Sequence, residues 1–190
     1  MKSIYKIRSR FNFLLNLLIF KAKNIQYVTF PKINGRPVVI NDGSILFGRD
    51  VKINSGVKTN PIGGDSICIF KTFSGGRITI GDNCGLSNCS IVAMCAISIG
   101  VNTKVGGGVK MYDSDFHSLN YIFRRDSSAD KSLSKSIHIG NDVFIGAHCI
   151  ILKGVLIGDR AIVGAGSVVT KNIPSGQIWA GNPAKRIGDV

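Results

Sequence analysis

The chain has 190 residues, and its 24 Lys and Arg against 11 Asp and Glu give a formal net charge of +13. This length suits one domain with a sizeable core, and the charge favours anionic partners such as a phosphorylated ligand or an anionic membrane. No nucleic-acid-binding motif accompanies the charge, so we expect no nucleic-acid partner. Five cysteines without a C-x-x-C pair are typical of small buried side chains in a reducing compartment, which predicts a cytoplasmic protein.

Residues 1–24 are predicted to form a short helix that is both basic and apolar. Lys2, Lys6, Arg8 and Arg10 precede a largely apolar run of ten residues, 11–20, which is too short to span a bilayer. Two interpretations remain open. The helix packs against the main domain or a neighbouring subunit, or it lies as a peripheral anchor on the anionic inner face of the cytoplasmic membrane.

Residues 25–77 are predicted to form irregular strands, and from residue 78 the apolar pattern becomes regular. One inserted residue near Asn88 predicts a bulge. The early residues that we expect to face the core form three pairs: Val38 with Ile40, Val51 with Ile53, and Ile67 with Ile69.

After residue 136 the apolar residues recur at a step of six. A step of six fits neither an α-helix nor an ordinary two-faced strand, and it is typical of a parallel β-helix whose coils stack around a continuous core. We therefore predict a β-helix domain over 25–174 and a tail over 175–190. The two repeating series are Ile139, Ile145, Ile151, Ile157, Val163 and Val169, and Ile137, Val143, Cys149, Val155, Ala161, Ser167 and Ile173.

A polar segment without periodicity, residues 113–136, interrupts the repeat. Long insertions of this kind inside a compact repeat are often functional. The segment contains His117, and a histidine suits general-base chemistry near neutral pH. Asp115 or Asp113 could orient its imidazole. His138 and His148 fall between core positions and are expected on the surface, and their spacing argues against a three-histidine metal site, so we expect no metal.

The run AGSVVTKNIP, followed by AGNPAKRI, resembles the C-terminal signature of the hexapeptide-repeat acyltransferases. The similarity covers roughly residues 78–187 and is greatest to the maltose- and galactoside-O-acetyltransferase-like group, which includes polysaccharide O-acetyltransferases. It implies an all-β fold, a left-handed parallel β-helix with a protruding loop and three hexapeptides per coil. Left-handed crossovers are exceptional, so this handedness comes from the resemblance. The resemblance also implies a homotrimer with active sites between subunits and acetyl-CoA as co-substrate.

The same resemblance assigns site residues. The family's catalytic base is a histidine where the loop leaves the β-helix, which is His117 here. Phe144 stands where close relatives carry Trp in the cofactor cleft. The residues that match the family's cleft lining and phosphate-binding cations are Gly146, Ala147, Gly164 and Ala165, and Lys171, Lys185 and Arg186. Apart from the resemblance, we expect the acceptor site to be built from the loop and the coils beside it, with a saccharide contacting Asn88, Asp113, Asp115, Tyr121, Arg124 and Arg125.

The expected reaction is acetyl-CoA-dependent O-acetylation of a saccharide during surface-polysaccharide or lipopolysaccharide assembly, by direct transfer with His117 as base. Three alternatives stay open: N-acetylation of a nucleotide-linked amino sugar, acetylation of a small xenobiotic, and a non-catalytic β-helix scaffold.

Overall fold

A computed structural model describes residues 2–190, with side chains described from Arg10 onward, so the basic side chains of Lys2, Lys6 and Arg8 lie outside the described part. Within residues 2–190 there is one α-helix, α1 (Lys2–Ala22), and no helix there is long and apolar enough to cross a membrane. Two single 3₁₀ turns lie at Pro61–Gly63 and Phe123–Arg125. The strands are β1 (Gln26–Tyr27), β2 (Lys32–Gly35), β3 (Val38–Asn41), β4 (Ser44–Phe47), β5 (Lys52–Ser55), β6 (Ile69–Thr72), β7 (Arg77–Ile80), β8 (Gly85–Ser87), β9 (Ser90–Ala93), β10 (Ala96–Ile99), β11 (Lys104–Val105), β12 (Lys110–Tyr112), β13 (Ile137–Ile139), β14 (Phe144–Ile145), β15 (Ile150–Ile151), β16 (Leu156–Ile157), β17 (Ile162–Val163), β18 (Val168–Val169), β19 (Gln177–Gly181) and β20 (Ala184–Asp189).

From β1 to β18, each strand pairs in parallel with the strand three places further along the chain. The strands therefore form three faces of a prism: sheet A from β1, β4, β7, β10, β13 and β16, sheet B from β2 to β17 in the same steps, and sheet C from β3 to β18. Two coils follow the loop, as the repeat predicts. The expected fold, a left-handed parallel β-helix with a protruding loop and a short N-terminal helix, is confirmed.

The prism interior is filled by the repeating residues. Every member of the two six-step series is at most 4% exposed. A strand of two to four residues presents only one or two side chains inward, and the coil above or below covers them, so the core is continuous along the axis. After β18, β19 pairs in parallel with β17, and β20 pairs antiparallel with β19 to close sheet B.

In two early strands the predicted inward residues are wrong by one position. Val38 and Ile40 are 40% and 38% exposed, whereas Val39 between them is buried. Likewise Cys68 and Phe70 are buried in place of Ile67 and Ile69, while Val51 and Ile53 do face inward as predicted. Because side chains alternate along a strand, a slip of one residue exchanges the two faces. Both strands carry apolar residues on both faces, so their composition does not distinguish inside from outside.

Helix α1 covers one end of the prism. Phe20 is fully buried, and its ring stacks on Phe47 of β4 with 5.7 Å between centroids. Phe13 packs edge-on against Phe30 with 5.4 Å between centroids. The helix thus shields the apolar end of the first coil, which agrees with the packing interpretation of this segment.

The loop leaves sheet C after β12 and returns to sheet A at β13. An antiparallel bridge between Ser114 and Ser134 and a bond from the Lys135 amide to the Asp113 carbonyl (2.9 Å) close its base. The loop is therefore a closed projection from the corner between sheets C and A.

Candidate functional site

His117 projects from the loop, with its side chain 70% exposed. Its Nδ1 lies 2.7 Å from Oδ2 of Asp130, and Oδ1 of Asp130 accepts a bond from the Ser118 amide at 2.6 Å. The pKa of Asp130 is held below its usual range, mainly because the Ser118 amide bonds to the charged carboxylate and secondly because the His117 imidazole does. The carboxylate therefore stays ionised and can only accept hydrogen bonds.

This contact sets the tautomer of the imidazole. Because the Asp130 carboxylate accepts, Nδ1 of His117 carries the proton, and Nε2 keeps its lone pair. Nε2 is thus free to accept a proton from a substrate. The histidine–carboxylate pair has the arrangement of a general base whose ring is oriented by an acid.

Asp115 and Asp113 do not orient the histidine, and that expectation is wrong. Asp115 Oδ1 accepts a bond from Lys153 Nζ at 2.6 Å, with the two side chains 22% and 25% exposed. Asp113 is fully buried, and its two oxygens accept bonds from the amides of Met94 and Cys95 at 2.7 and 2.8 Å. Both carboxylates instead attach the base of the loop to the β-helix, and neither is placed to bind an acceptor.

Asn88 is also wrong as an acceptor-binding residue. It is 1% exposed, and its side chain accepts from the Gly56 amide at 2.7 Å and donates to the Asn60 carbonyl at 2.7 Å. Its side-chain amide therefore ties the corner to residues 56–60, and its burial keeps it from a ligand. The expected insertion near Asn88 is wrong: Leu86 and Ile91 are five residues apart, whereas their partners in the next coil, Val105 and Met111, are six apart, so this corner is one residue shorter.

Tyr121 and Arg124 lie on the outer part of the loop. Tyr121 is 59% exposed, with the guanidinium of Arg125 5.3 Å from its ring centroid. Arg124 Nη1 donates to the carbonyls of Ser118 and Leu119 at 2.7 and 3.0 Å. Arg124 thus holds the backbone beside His117, while its other donors remain at the surface.

Most of the residues expected to hold a cofactor lie on or beside sheet B. Phe144 is 51% exposed, and in the outward column of sheet B it lies between Lys104 and Ile162. Next to this column, small residues stack coil upon coil. A Cβ on Gly146 would lie 2.6 Å from the Ala165 amide nitrogen, and one on Gly164 would lie 2.9 Å from the Ala180 Cβ. Close stacking therefore explains both glycines. Gly146 and Gly164, with Ala147 and Ala165 next to them, form a strip without large side chains beside the ring of Phe144.

Of the expected basic residues, Lys185 and Arg186 lie on β20 at the C-terminal end of sheet B, whereas Lys171 lies at the corner between sheets C and A, opposite sheet B. Lys171, Lys185 and Arg186 are all exposed, and Arg186 forms an ion pair with Asp189. Ala147 lies at the corner between sheets B and C. Small side chains, an aromatic ring and exposed cations are the groups that suit a long ligand with an apolar arm and phosphates.

The sequence analysis did not predict the polar and basic side chains on the outward face of sheet B in the half nearer to α1. Toward α1 its outward column carries Lys104, Lys52 and Lys32 in place of apolar residues, with Gly85 between Lys104 and Lys52. The neighbouring column has polar side chains that bond to one another: Asn34 donates to Asn54 at 2.9 Å, and Asn54 donates to Ser87 at 3.4 Å. These strands lie outside the regular repeat, so only the pairing register brings their side chains into line. The sequence analysis also missed Asp130 and Lys153, because their partners His117 and Asp115 lie 13 and 38 positions away in the chain.

The base of the loop and sheet B lie on opposite sides of the prism. The loop leaves the prism at the corner between sheets C and A, and in a three-sided prism that corner lies opposite sheet B. The loop that carries His117 is therefore attached on the side of the prism away from the strip beside Phe144.

Comparison with known proteins shows which proteins resemble this chain in sequence. Residues 136–171 match the family model described as the hexapeptide repeat of succinyl-transferase. The chain therefore contains a hexapeptide repeat. It is 36% identical over 117 residues to the galactoside O-acetyltransferase of Escherichia coli K12, an alignment that covers 61% of this chain and 56% of that protein. The chain thus spans little more than half the length of this curated relative.

Solved structures agree with this assignment. A hexapeptide-repeat acetyltransferase from Vibrio cholerae, complexed with acetyl coenzyme A, superposes with a TM-score of 0.57 at 33% identity, covering 63% of this chain and 64% of that one. An N-acyltransferase from Bacillus cereus, solved with dTDP and coenzyme A, has a TM-score of 0.68 at 21% identity and covers 89% and 88%. The second likeness extends the shared fold to most of the chain.

The other two histidines bond to neighbouring groups of the protein, and two of the cysteines are buried in its core. His138 and His148 are exposed, as expected, and bond to Ser98 Oγ and the Ile62 carbonyl, both at 2.9 Å. Across the described residues, no three His, Cys, Asp or Glu side chains come together as metal ligands would. Burial raises the pKa of the thiols of Cys84 and Cys149, which suits small core residues.

Proposed function

We propose that this protein transfers an acetyl group from acetyl-CoA to a hydroxyl of a saccharide, in the assembly of a surface polysaccharide or lipopolysaccharide. The observation that carries the proposal is the His117–Asp130 pair on a loop that projects from a hexapeptide-repeat prism. Two proteins that are 36% and 33% identical to this chain are named acetyltransferases, which supports acetyl transfer. One of them is named a galactoside O-acetyltransferase, which supports a saccharide acceptor.

His117 acts as the general base. Its Nε2 takes the proton of the acceptor hydroxyl as the hydroxyl oxygen attacks the thioester carbonyl. Asp130 accepts from Nδ1 throughout and stabilises the imidazolium that forms. When the carbon–sulfur bond breaks, the imidazolium returns the proton to the leaving thiolate. The transfer is direct, and no cysteine carries the acetyl group.

The strip beside Phe144 is the proposed surface for the pantetheine arm. Phe144 offers an aromatic face, and Gly146, Ala147, Gly164 and Ala165 let a ligand approach the backbone closely. Lys185 and Arg186 at the end of sheet B supply cations for the phosphates of the cofactor, and Lys171, which lies at the same corner as the base of the loop, joins them only from a neighbouring copy of the chain. Phe has no N–H donor, so this side chain acts only through its ring.

The acceptor is proposed to bind on the polar half of sheet B and against the outer part of the loop. Asn34, Asn54 and Ser87 are hydrogen-bonding side chains of the kind that suits sugar hydroxyls. Tyr121 and Arg124 would contact the acceptor from the loop. This arrangement places the acceptor and the acetyl donor on one continuous face.

The site is completed by a second copy of the chain, in a homotrimer. The attachment of the loop on the side of the prism away from sheet B supports this, since the loop of one subunit can reach the sheet B of its neighbour. The outward face of sheet C also supports it. Val38, Ile40 and Leu152 are 40%, 38% and 37% exposed there, and a symmetric neighbour would cover such an apolar face.

The testing experiment measures CoA release from acetyl-CoA by chromatography, with pooled neutral sugars, amino-sugar nucleotides and glycan extracts as acceptors. We expect His117→Ala to lower kcat/KM by about 10²–10⁴-fold while acetyl-CoA affinity, measured by calorimetry, stays the same. His138→Ala is the matched control, since His138 is also an exposed histidine that bonds through Nδ1.

The acetylated product identifies the reaction. Lability of the new bond to mild alkali indicates an ester and therefore O-acetylation, whereas a stable amide would replace the proposal by N-acetylation. Absence of both CoA release and acetyl-CoA binding would favour the non-catalytic scaffold.

A further inference from the structure

Helix α1 has two apolar faces, of which the β-helix covers one. Asn16 and Phe20 are 1% and 0% exposed against the first coil. Phe11, Leu14 and Leu18 are 58%, 57% and 63% exposed. Their spacing of three and four residues aligns them on the opposite side of the helix. We call these three residues the outer stripe. A helix that is apolar on both faces normally has a partner on both.

The charge around this helix has one sign. Before Asp42 the chain contains no acidic residue, whereas eight of its 24 Lys and Arg lie there: Lys2, Lys6, Arg8, Arg10, Lys21, Lys23, Lys32 and Arg36. Four of them occupy the first half of α1, where the helix dipole favours negative charge. These four therefore do not serve helix stability, and their position requires another explanation.

An anionic surface explains both observations, and a second copy of the helix does not. Two outer stripes packed against each other would bring two sets of like charges together without any acidic residue to offset them. An anionic bilayer offers an apolar layer for the stripe and phosphates for the lysines and arginines. The apolar part of α1, residues 11–20, is too short to cross the bilayer, so the helix would lie along its surface.

We propose that α1 docks the protein onto an anionic membrane, with Phe11, Leu14 and Leu18 inserted at the boundary between headgroups and acyl chains. Arg10, Lys21 and Lys23, whose side chains are exposed, then contact lipid phosphates. The prism stands on the bilayer by the end that α1 covers. This inference does not depend on the proposed acyl transfer.

The experiment is co-sedimentation of the full chain with vesicles of phosphatidylcholine alone and of phosphatidylcholine mixed with phosphatidylglycerol. We expect binding to the mixed vesicles that is at least about tenfold tighter than to the neutral ones and that weakens as salt is added. Replacing the outer stripe by Phe11→Gln, Leu14→Gln and Leu18→Gln keeps good helix formers and should lower the affinity at least about tenfold.

The matched control removes three apolar side chains of similar exposure elsewhere: Ile62→Gln, Leu156→Gln and Ile187→Gln, which are 64%, 48% and 67% exposed in the native chain. This control should bind vesicles as the native protein does. A second variant, Arg10→Gln, Lys21→Gln and Lys23→Gln, tests the charge without touching the stripe and should abolish the preference for anionic vesicles. Circular dichroism verifies that each variant is folded.

Equal binding of the native protein to neutral and anionic vesicles would overturn the proposal, as would native-like vesicle binding by the outer-stripe variant. If the outer-stripe variant instead loses mass in sedimentation velocity without any change in vesicle binding, the stripe is an interface between copies and the membrane proposal is wrong.

Discussion

Nδ1 of His117 lies 2.7 Å from Oδ2 of Asp130, although thirteen positions separate the two residues in the chain. Both residues belong to the loop that interrupts the β-helix. The contact therefore orders the loop and orients the imidazole at the same time.

Replacing Asp130 should impair the proposed reaction without removing the base. Asp130→Asn keeps a side chain of the same shape but can present an N–H to Nδ1, which favours the wrong tautomer. We expect kcat to fall by about 10–100-fold with little change in the KM for acetyl-CoA. Asp126→Asn is the control, because Asp126 lies in the same loop and its side chain bonds only to Ser128. Equal rates for the two variants would show that Asp130 does not position His117.

The Asp130 contact should also resist acid. Its pKa is held below the usual range because the Ser118 amide and the His117 imidazole bond to the charged carboxylate. The stabilisation that a carboxylate with a lowered pKa gives the folded state is complete when the pH is above the ordinary carboxyl pKa of about 3.9. It is lost only as the pH falls through the lowered pKa. The amide-proton shift of Ser118, followed by NMR, should therefore titrate with a midpoint below about 3.9. A midpoint at or above that value would contradict the contact.

If two chains form each site, two inactive variants should complement each other. His117→Ala lacks the base, and Phe144→Glu places a charge on the proposed cofactor strip. Co-expressed in equal amounts, they should give trimers with about a quarter of native activity, because each site draws its loop and its sheet from different neighbours. Activity no higher than that of the separate variants would mean that loop and strip act within one chain.

The Lys153–Asp115 pair should stabilise the base of the loop. Its side chains are only 25% and 22% exposed, and Asp115 Oδ2 is buried without a hydrogen-bond partner. Lys153→Met leaves the carboxylate without its cation and should lower the free energy of unfolding by about 1–3 kcal/mol. The double variant Lys153→Met with Asp115→Asn should recover part of this loss. Denaturant unfolding at fixed protein concentration measures both, and purely additive losses would argue against the pair.

Stacking of the coils predicts a contrast between two glycines of sheet B. A Cβ at Gly146 would lie 2.6 Å from the backbone nitrogen of Ala165, whereas one at Gly85 would lie 3.2 Å from Cδ of the flexible Lys104 side chain. Gly146→Ala should therefore destabilise the fold by about 1–3 kcal/mol, and Gly85→Ala by less than about 0.5 kcal/mol. Thermal unfolding of the two variants measures the difference. Similar losses would show that the coil can shift to admit a methyl group.

Accuracy of the sequence-based prediction depends on how regular the repeat is. Between Ile137 and Ile173 each inward residue recurs at a constant step, so burial could be assigned residue by residue. At Val38–Ile40 and Ile67–Phe70 the apolar residues run consecutively, and the face toward the core depends on the register with neighbouring coils. The misplaced roles of Asp113, Asp115 and Asn88 have the same origin, because each bonds to groups that are distant in sequence.

By itself, the sequence determined the β-helix, the position of the loop and the identity of its histidine. These follow from local periodicity, because a repeating step of six shows which side chains can be buried together, and a break in it shows where the chain leaves the core. Only the tertiary structure decided that Asp130 orients His117, that Lys153 pairs with Asp115, and that the base of the loop lies opposite sheet B. Those relationships depend on how the loop closes and how the coils align, and short-range pattern in the chain does not contain that information.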